Sequence, residues 1–275
     1  MNSTTQLIPA GLGQTERMRL SKLLRATKVT ISVAEAASAL GLEPKQAAKL
    51  LSWYTKKGWL NRISQGLYLP VPLESATSDI VAEEPFVIAE KLFAPCYIGG
   101  MNAANYWELT EQIFRTVTVM TQNKVKNRQP KIGGTEYDIH SIKPEYFYGL
   151  KSIWLTGVKV QISDPTRTIL DMVLFPQFCG GIRFVMDVIQ SYFQSKHKDI
   201  DLLIKYLEKA QNGAAIKRLG FIIEKYYPDE EKLINYCLQN LTQGYIRISP
   251  NLESPRLIRR WRLWVPENFK EVIND

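Results

Sequence analysis

Residues 43–70 show the clearest change of hydrophobic pattern along the chain. Apolar residues first recur at helical spacing, at Ala47, Leu50, Leu51 and Tyr54. The opposite face carries polar and basic side chains, at Lys45, Gln46, Lys49, Ser52 and Lys56. Proline suits the first turn of a helix, and glycine suits the residue that follows the last turn. The pattern therefore predicts a helix from Pro44 to Lys57, ended by Gly58, with one apolar and one basic face.

The period changes after this helix. Trp59–Ile63 and Leu67–Leu69 have the composition of two short strands, and Ser64-Gln65-Gly66 between them is typical of a tight hairpin. Upstream, the periodicity predicts helices over Gln14–Ala26 and Val33–Leu40. Ser32 is expected to cap the second of these helices, with Glu35 completing a capping box. Three helices followed by a hairpin predict a winged helix-turn-helix.

The rest of the chain predicts a larger α/β domain. Strands are expected near Thr116–Met120, Tyr137–Ile142, Val158–Ile162, Tyr245–Ile248 and Trp261–Val265. Helices are expected over Phe86–Leu92, Met101–Leu109, 164–174, Ile182–Gln194, Asp199–Ala210, Gly213–Tyr226 and Asp229–Leu241. Residues 123–131 are polar and basic and are predicted to be a loop or a strand edge, and Lys143–Leu150 local helix or turn. The fold class is therefore mixed α+β, with an N-terminal winged helix-turn-helix followed by a small mixed sheet and a helical array.

Four segments follow from this pattern. Residues 1–13 are expected to be a flexible arm and residues 14–72 the winged helix-turn-helix. Residues 73–84 combine proline, small residues and acids, which is typical of a linker. Residues 85–275 are expected to form the C-terminal domain.

The positive charge is concentrated at the N-terminal end. The chain carries 35 basic and 27 acidic residues, a net charge of +8. Residues 1–70 hold ten of the basic and three of the acidic residues, a net charge of +7, which leaves +1 for the other 205 residues. A basic domain beside a nearly neutral one favours a nucleic-acid reader with a second function attached. The alternative is a basic helical domain whose charges are simply solvated.

Composition also bears on the cellular setting. The three cysteines are far apart, no CxxC occurs, and there are only two histidines, which argues against a disulfide framework or a zinc ribbon. The chain has no apolar run long enough to cross a membrane and no secretory signal at its start. A cytoplasmic protein with three reduced cysteines and no membrane contact is expected.

No catalytic motif is found. The double glycines lack the context of a phosphate loop, and neither GxSxG nor HExxH occurs. Glu136, Asp138, Asp164 and Asp171 could supply the carboxylates of a metal-dependent nuclease. Asp164 is better explained as a helix cap, Asp171 as a polar position on the same helix, and the other two as the solvent face of a strand. We therefore expect no enzyme activity, no catalytic residue, no cofactor and no metal.

The segment Arg256–Trp264 alternates arginine with tryptophan and leucine. It could contact phosphate or a partner through arginine stacked on tryptophan. The interpretation that we favour is an edge strand, with Leu257, Trp261 and Leu263 partly in the core and the arginines in solvent.

Several stretches together resemble the AbiEi-type antitoxins of bacterial type IV toxin–antitoxin (abortive infection) systems. They are KKGWLNRISQGLYLPVP, YIGGMNAANYWELTEQ, TVTVMT, VKVQISDPTRTILDMV, AAIKRLGFIIE and WRLW, in the family's order between about Val29 and Trp264. The resemblance implies a transcriptional autorepressor whose N-terminal domain binds operator DNA of its own operon. It further implies a C-terminal domain that counteracts a nucleotidyltransferase-like toxin, with direct contact between the two proteins left open.

The predicted interface lies on the third helix and the hairpin. Lys45, Gln46 and Lys49 are expected to reach base edges in the major groove, because glutamine can read adenine and lysine guanine. Contacts to phosphates or to the minor-groove flank are expected from Ser32, Lys56, Lys57, Arg62 and Gln65. The partner would be double-stranded operator DNA with inverted repeats. The alternatives are an interaction module that neutralises a toxin by binding it and, less favoured, the metal-dependent nuclease.

Overall fold

A computed structural model describes residues 11–27, 29–71, 84–267 and 269. The helices are α1 Gln14–Ala26, α2 Val33–Leu40, α3 Pro44–Lys56, α4 Pro85–Phe93, α5 Gly100–Tyr106, α6 Pro165–Leu174, α7 Gly181–Gln194, α8 Ile200–Ala210, α9 Gly213–Tyr226 and α10 Glu231–Gln239. The strands are β1 Ile31–Ser32, β2 Leu60–Ser64, β3 Leu67–Pro70, β4 Cys96–Ile98, β5 Thr116–Thr121, β6 Lys131–Ile132, β7 Thr135–Ser141, β8 Leu150–Leu155, β9 Val158–Ser163, β10 Ile246–Arg247, β11 Arg256–Ile258 and β12 Leu263–Val265. Three short 3-10 helices lie at Pro144–Tyr146, Pro176–Phe178 and Arg259–Trp261.

These strands form three sheets. Two have three strands, in the orders β1-β3-β2 and β10-β12-β11, and the third has six strands in the order β6-β7-β5-β4-β9-β8. The chain divides into two compact units. The first holds the described residues up to Cys96 together with Arg115–Ile139 and Ser152–Val160, and the second holds the remainder. The mixed α+β class predicted from the sequence is confirmed.

The winged helix follows its sequence signals closely. Helices α1 and α2 have the predicted bounds, and α2 starts with the predicted capping box between Ser32 and Glu35. In the hairpin, Gly66 adopts the left-handed φ of +75° that the tight turn between β2 and β3 requires. A core of buried side chains joins the three helices to the sheet, at Leu20, Leu23, Ile31, Ala36, Ala47, Leu51, Tyr54, Leu60 and Tyr68.

Helix α6 lies at the centre of the second unit. Every residue from Pro165 to Leu174 is buried, and the helix packs against α5, α7, α8 and α9. Asp164 caps its N-terminus as predicted, because its carboxylate accepts a hydrogen bond from the backbone N–H of Arg167 at 2.7 Å. The large apolar core of the helical array forms around α6.

Two charged side chains of α6 have no exposure to solvent. Arg167 and Asp171 pair through a distance of 2.8 Å, and both are 0% exposed. The Tyr97 hydroxyl bonds to the Asp171 carboxylate, and the guanidinium stacks under the Tyr148 ring at 4.4 Å. Burial opposes the charge on Arg167, but the Asp171 carboxylate raises the pKa of Arg167 above its ordinary value, so the guanidinium stays charged. Asp171 is thus a polar position of the helix, as predicted, but one that is paired inside the core.

The C-terminal segment packs onto one face of α9. Arg218 donates hydrogen bonds to the carbonyls of Ile248 and Val173, each at 2.9 Å, and the Lys217 ammonium bonds to the Gly244 carbonyl. The Trp261 indole lies against Gly220, where any Cβ would overlap the ring, and its N–H donates to Glu224. Burial lowers the pKa of Arg218 to about 10.

The segment Arg256–Trp264 differs from the predicted edge strand. It forms strand β11, a 3-10 turn that contains Trp261, and then β12. The predicted burial of Trp261 and Leu263 and the exposure of Arg256 are observed. Strand β8 was not predicted, because the sequence pattern gave residues 151–157 no element.

The predicted arm is described only from residue 11 onward, and residues 73–83 of the predicted linker lie outside the described residues. The predicted domain boundaries therefore stay predictions. The three cysteines are buried free thiols. In the part of the chain that the structure describes, no helix is long and apolar enough to cross a membrane.

The Arg167–Asp171 pair gives a first prediction. Replacing Arg167 by Met should lower the free energy of unfolding by about 3–5 kcal/mol, because it leaves a buried carboxylate without its partner. Burial already raises the pKa of Asp171. The loss should therefore shrink as pH falls through the raised folded-state pKa of Asp171, because protonation removes the unpaired charge from the folded protein. Urea denaturation between pH 5 and 8 measures this.

The double variant Arg167→Met/Asp171→Leu is the matched control, because it removes both charges. It should recover most of the stability that the single variant loses. A double variant as unstable as the single one would show that packing around the guanidinium matters more than its charge.

Candidate nucleic-acid interface

Helix α3 is held to the winged-helix core from one side only. It buries Ala47, Leu51 and Tyr54, and the Tyr54 hydroxyl donates to the Glu16 carbonyl of α1 at 2.8 Å. Its first turn is closed by a capping box between Glu43 and Gln46. The apolar stripe read from the sequence therefore fixes which face of α3 points outward.

The outward face carries the residues predicted to read bases. Lys45, Gln46 and Lys49 are exposed, and Lys56 lies further along the same face. The Gln46 side-chain oxygen accepts a hydrogen bond from the Glu43 N–H at 3.3 Å. That bond occupies one lone pair of the Gln46 amide oxygen and turns the amide towards Glu43, whereas adenine recognition needs both the donor and the acceptor of the amide presented to the base. Reading adenine would therefore require the capping box to open.

The end of α3 combines a cation with an aromatic ring. The Lys57 ammonium lies 5.8 Å from the centroid of the Trp53 ring, and Lys57 is half-buried. Trp53 packs edge-on against Tyr54 at 5.3 Å, so this tryptophan belongs to the rim of the core. Lys57 is thus less free to move than Lys56.

The wing presents two of the predicted residues near its tip. Arg62 and Gln65 are both exposed. The Arg62 Nε donates to the Ser64 carbonyl at 3.3 Å, which steadies the guanidinium beside the turn. The backbone N–H of Val33 donates to the Gly66 carbonyl at 3.1 Å and so joins the turn to the start of α2.

Ser32 is the predicted residue with the most local bonding. Its hydroxyl accepts from the Glu35 N–H at 3.1 Å, and its own N–H donates to the Glu35 carboxylate at 2.8 Å. Burial would raise the pKa of Glu35, but these hydrogen bonds and the Lys91 ammonium at 3.5 Å hold it below its ordinary value. Ser32 therefore caps α2 beside a carboxylate that stays charged at neutral pH.

Further exposed cations lie outside the predicted set. Lys124, Lys126 and Arg128 are exposed on the segment that follows β5. The sequence signal for them is a run of basic residues without an acid. Among the described residues, no three His, Cys, Asp or Glu side chains are grouped closely enough to hold a metal ion.

The cap gives a second prediction. Replacing Ser32 by Ala should lower the free energy of unfolding of the full-length protein by about 1 kcal/mol, because α2 loses its N-cap. The Glu35 pKa is lowered in the folded state, so the contribution of Glu35 is present above its unfolded pKa of about 4.3 and is lost as pH falls through the folded value. The difference between the two proteins should therefore narrow below about pH 4.

Urea denaturation at several pH values measures this effect. Ser38→Ala is the matched control, because Ser38 is an exposed position further along the same helix. Equal stability of the Ser32→Ala variant and the unmodified protein would contradict the capping role.

Comparison with known proteins gives a family match and a structural likeness. Residues 18–71 match the family model described as "Transcriptional regulator, AbiEi antitoxin". A search of curated proteins gives no match. Among solved structures, the chain is similar to the RV2827C protein from Mycobacterium tuberculosis, with 13% identity, a TM-score of 0.60, and coverage of 94% of this chain and 93% of that one. At this identity the likeness shows a shared fold. Residues 18–71 are therefore similar to the AbiEi family of antitoxin transcriptional regulators.

Proposed function

We propose that this protein is an antitoxin and a transcriptional autorepressor that binds operator DNA of its own toxin–antitoxin operon in the cytoplasm. The observation that carries the proposal is the outward face of α3, which is basic, exposed and held by a rigid core, within the stretch that matches the family. A helix of this kind fits the major groove of B-form DNA, which is about 12 Å wide.

Each predicted residue has a distinct role in this proposal. Lys45, Gln46 and Lys49 near the N-terminal end of α3 contact base edges, because recognition helices usually enter the groove by that end. Lys56 and Lys57 contact phosphates and set the register of the helix on the duplex. Gln46 contributes once its amide leaves the bond to Glu43, so its contact forms at the cost of the capping box.

The wing would contact the flank of the site. Arg62 and Gln65 lie beside the turn and can reach a phosphate or the adjacent minor groove. Ser32 is the weakest member of the set, because the charged Glu35 carboxylate beside it repels phosphate. Its hydroxyl can still donate one hydrogen bond while it accepts the capping bond.

The operator would contain inverted repeats. A single winged helix per chain reads one half-site, and two copies related by a two-fold axis read two half-sites about one helical turn or a multiple apart. The C-terminal domain, residues 85–275, would counteract a nucleotidyltransferase-like toxin. The family match at residues 18–71 supports this role by association.

Salt dependence gives a third prediction. If about six basic groups contact phosphates, the logarithm of operator affinity should fall with the logarithm of salt concentration at a slope of about −5. Fluorescence anisotropy of the full-length protein on DNA from immediately upstream of its gene, between 50 and about 300 mM salt, measures the slope. A scrambled duplex of the same length is the control. A slope near zero, or equal affinity for both duplexes, would overturn the proposal.

Separation of the two activities gives a fourth prediction. Lys49→Ala should weaken operator binding by about 1–3 kcal/mol if the side chain reads a base, with less effect on the scrambled duplex. Growth of cells that also express the toxin from the same operon should stay protected, because Lys49 lies outside the C-terminal domain.

Lys205→Ala is the matched control, because Lys205 is an exposed lysine in the middle of α8. It should leave operator affinity unchanged. Loss of protection by Lys49→Ala, with both genes expressed from an unrelated promoter, would show that the toxin is controlled through the winged helix.

A further inference from the structure

Residues 71–275 are nearly neutral in total but contain one segment with an excess of positive charge. Residues 112–135 hold five basic residues and no acidic one: Arg115, Lys124, Lys126, Arg128 and Lys131. Residues 71–275 carry 25 basic and 24 acidic residues in total. Without this segment, the same residues carry 20 basic and 24 acidic ones, a net charge of −4. The segment is thus a run of positive charge within an otherwise acidic part of the sequence.

The backbone of residues 123–132, which hold four of the five cations, is fixed at both ends. The Asn123 side-chain amide donates to the Ala94 carbonyl at 2.8 Å, which anchors the start. The carbonyls of Arg128 and Pro130 accept hydrogen bonds from the Ile139 and Tyr137 N–H groups of β7 at 2.8 and 3.0 Å. Strand β6 then ends the segment at the edge of the six-stranded sheet. The basic side chains therefore project from an ordered scaffold, which reduces the entropy lost when they bind.

Within the described ranges, Lys124, Lys126 and Arg128 have no carboxylate beside them, unlike Lys131. Lys131 lies opposite Glu136 in the β6–β7 register, so a carboxylate accompanies it. Among the described residues, no carboxylate lies within ion-pair distance of Lys124, Lys126 or Arg128, and all three are exposed.

The chemistry of the exposed side chains favours a polyanion. Between residues 123 and 130, the exposed positions besides the three cations are Asn123, Asn127 and Gln129, while Val125 is half-buried. A protein interface would need an apolar or aromatic anchor at its centre, and this surface offers none. Lysine, arginine and amide side chains are the groups that contact DNA phosphates.

We propose that Lys124, Lys126 and Arg128 form a second DNA-binding surface, which contacts the phosphate backbone of duplex DNA beyond the segment bound by the winged helix. This inference rests on the proposed operator binding and extends it. Residues 115–139 belong to the same compact unit as the winged helix. Contacts of this kind add affinity and salt dependence but no sequence information.

The test compares two triple variants of the full-length protein. Lys124→Gln/Lys126→Gln/Arg128→Gln removes the surface. Arg183→Gln/Lys196→Gln/Lys205→Gln removes the same charge from exposed positions of α7, α8 and the loop between them. Operator affinity is measured by fluorescence anisotropy at several salt concentrations, on a long duplex and on one trimmed to the winged-helix site. Thermal melting checks that both variants fold.

The first variant should lower the magnitude of the salt slope on the long duplex by about 2–3 and weaken binding at least about tenfold at 100 mM salt. The control variant should keep the slope of the unmodified protein. On the trimmed duplex the unmodified protein and the first variant should bind alike.

Two results would overturn the inference while leaving operator binding intact. One is an equal salt slope for the two triple variants, which would show that only total charge matters. The other is unchanged DNA binding with loss of protection against the toxin, which would assign the surface to an acidic protein partner. Absence of specific binding by the unmodified protein would instead defeat the proposed function and this inference with it.

Discussion

The second unit of this protein depends on one buried ion pair. Helix α6 is surrounded on all sides, so the charges of Arg167 and Asp171 cannot reach water. Each must be neutralised by the other and by tyrosines from elsewhere in the sequence, because an isolated buried charge costs several kcal/mol. Tyr97 and Tyr148 supply those partners from strand β4 and from the segment before β8. The pair thereby fixes where these two elements meet α6.

The residues around the start of α6 tolerate little substitution, because they share hydrogen bonds and lie in close contact. The Asp164 carboxylate serves both the start of α6 and the Tyr206 hydroxyl, which donates to it at 2.6 Å. Gly149 passes so close to Arg167 and Tyr206 that a Cβ would lie 2.9 Å from each. Its φ of +66° also favours glycine. The same few residues make the buried hydrogen bonds and the closest packing contacts here. A substitution at one of them therefore disturbs the contacts of the others.

Local signals made the winged helix predictable from sequence. Where such signals are absent, the sequence missed strand β8 and the burial of Arg167. The periodicity of α1 and the capping box of α2 are encoded within a few neighbouring residues, and so are their bounds. Strand β8 escaped prediction because Thr156 takes a positive φ beside Gly157, where asparagine or aspartate is the usual signal. The exposure of Lys45 and Lys49 followed from the helical period, whereas the Gln46 cap depends on Glu43, an unusual capping residue. The burial of Arg167 could not be foreseen, because its partner Tyr97 lies 70 residues away.

The hydrogen bonds that Arg218 of α9 makes to distant carbonyls have a consequence for synthesis on the ribosome. Arg218 is satisfied partly by carbonyls 45 residues before it and partly by the Ile248 carbonyl, 30 residues after it. At about 5–20 residues per second, the later acceptor is made roughly 1.5–6 s after the arginine. During that interval the nascent helix holds a cation with only part of its hydrogen bonds, against a core that is still open on one side. The helical array therefore closes only after residue 248 has been made, and a chain that terminates before this point leaves the ribosome with its apolar interior exposed to chaperones and proteases.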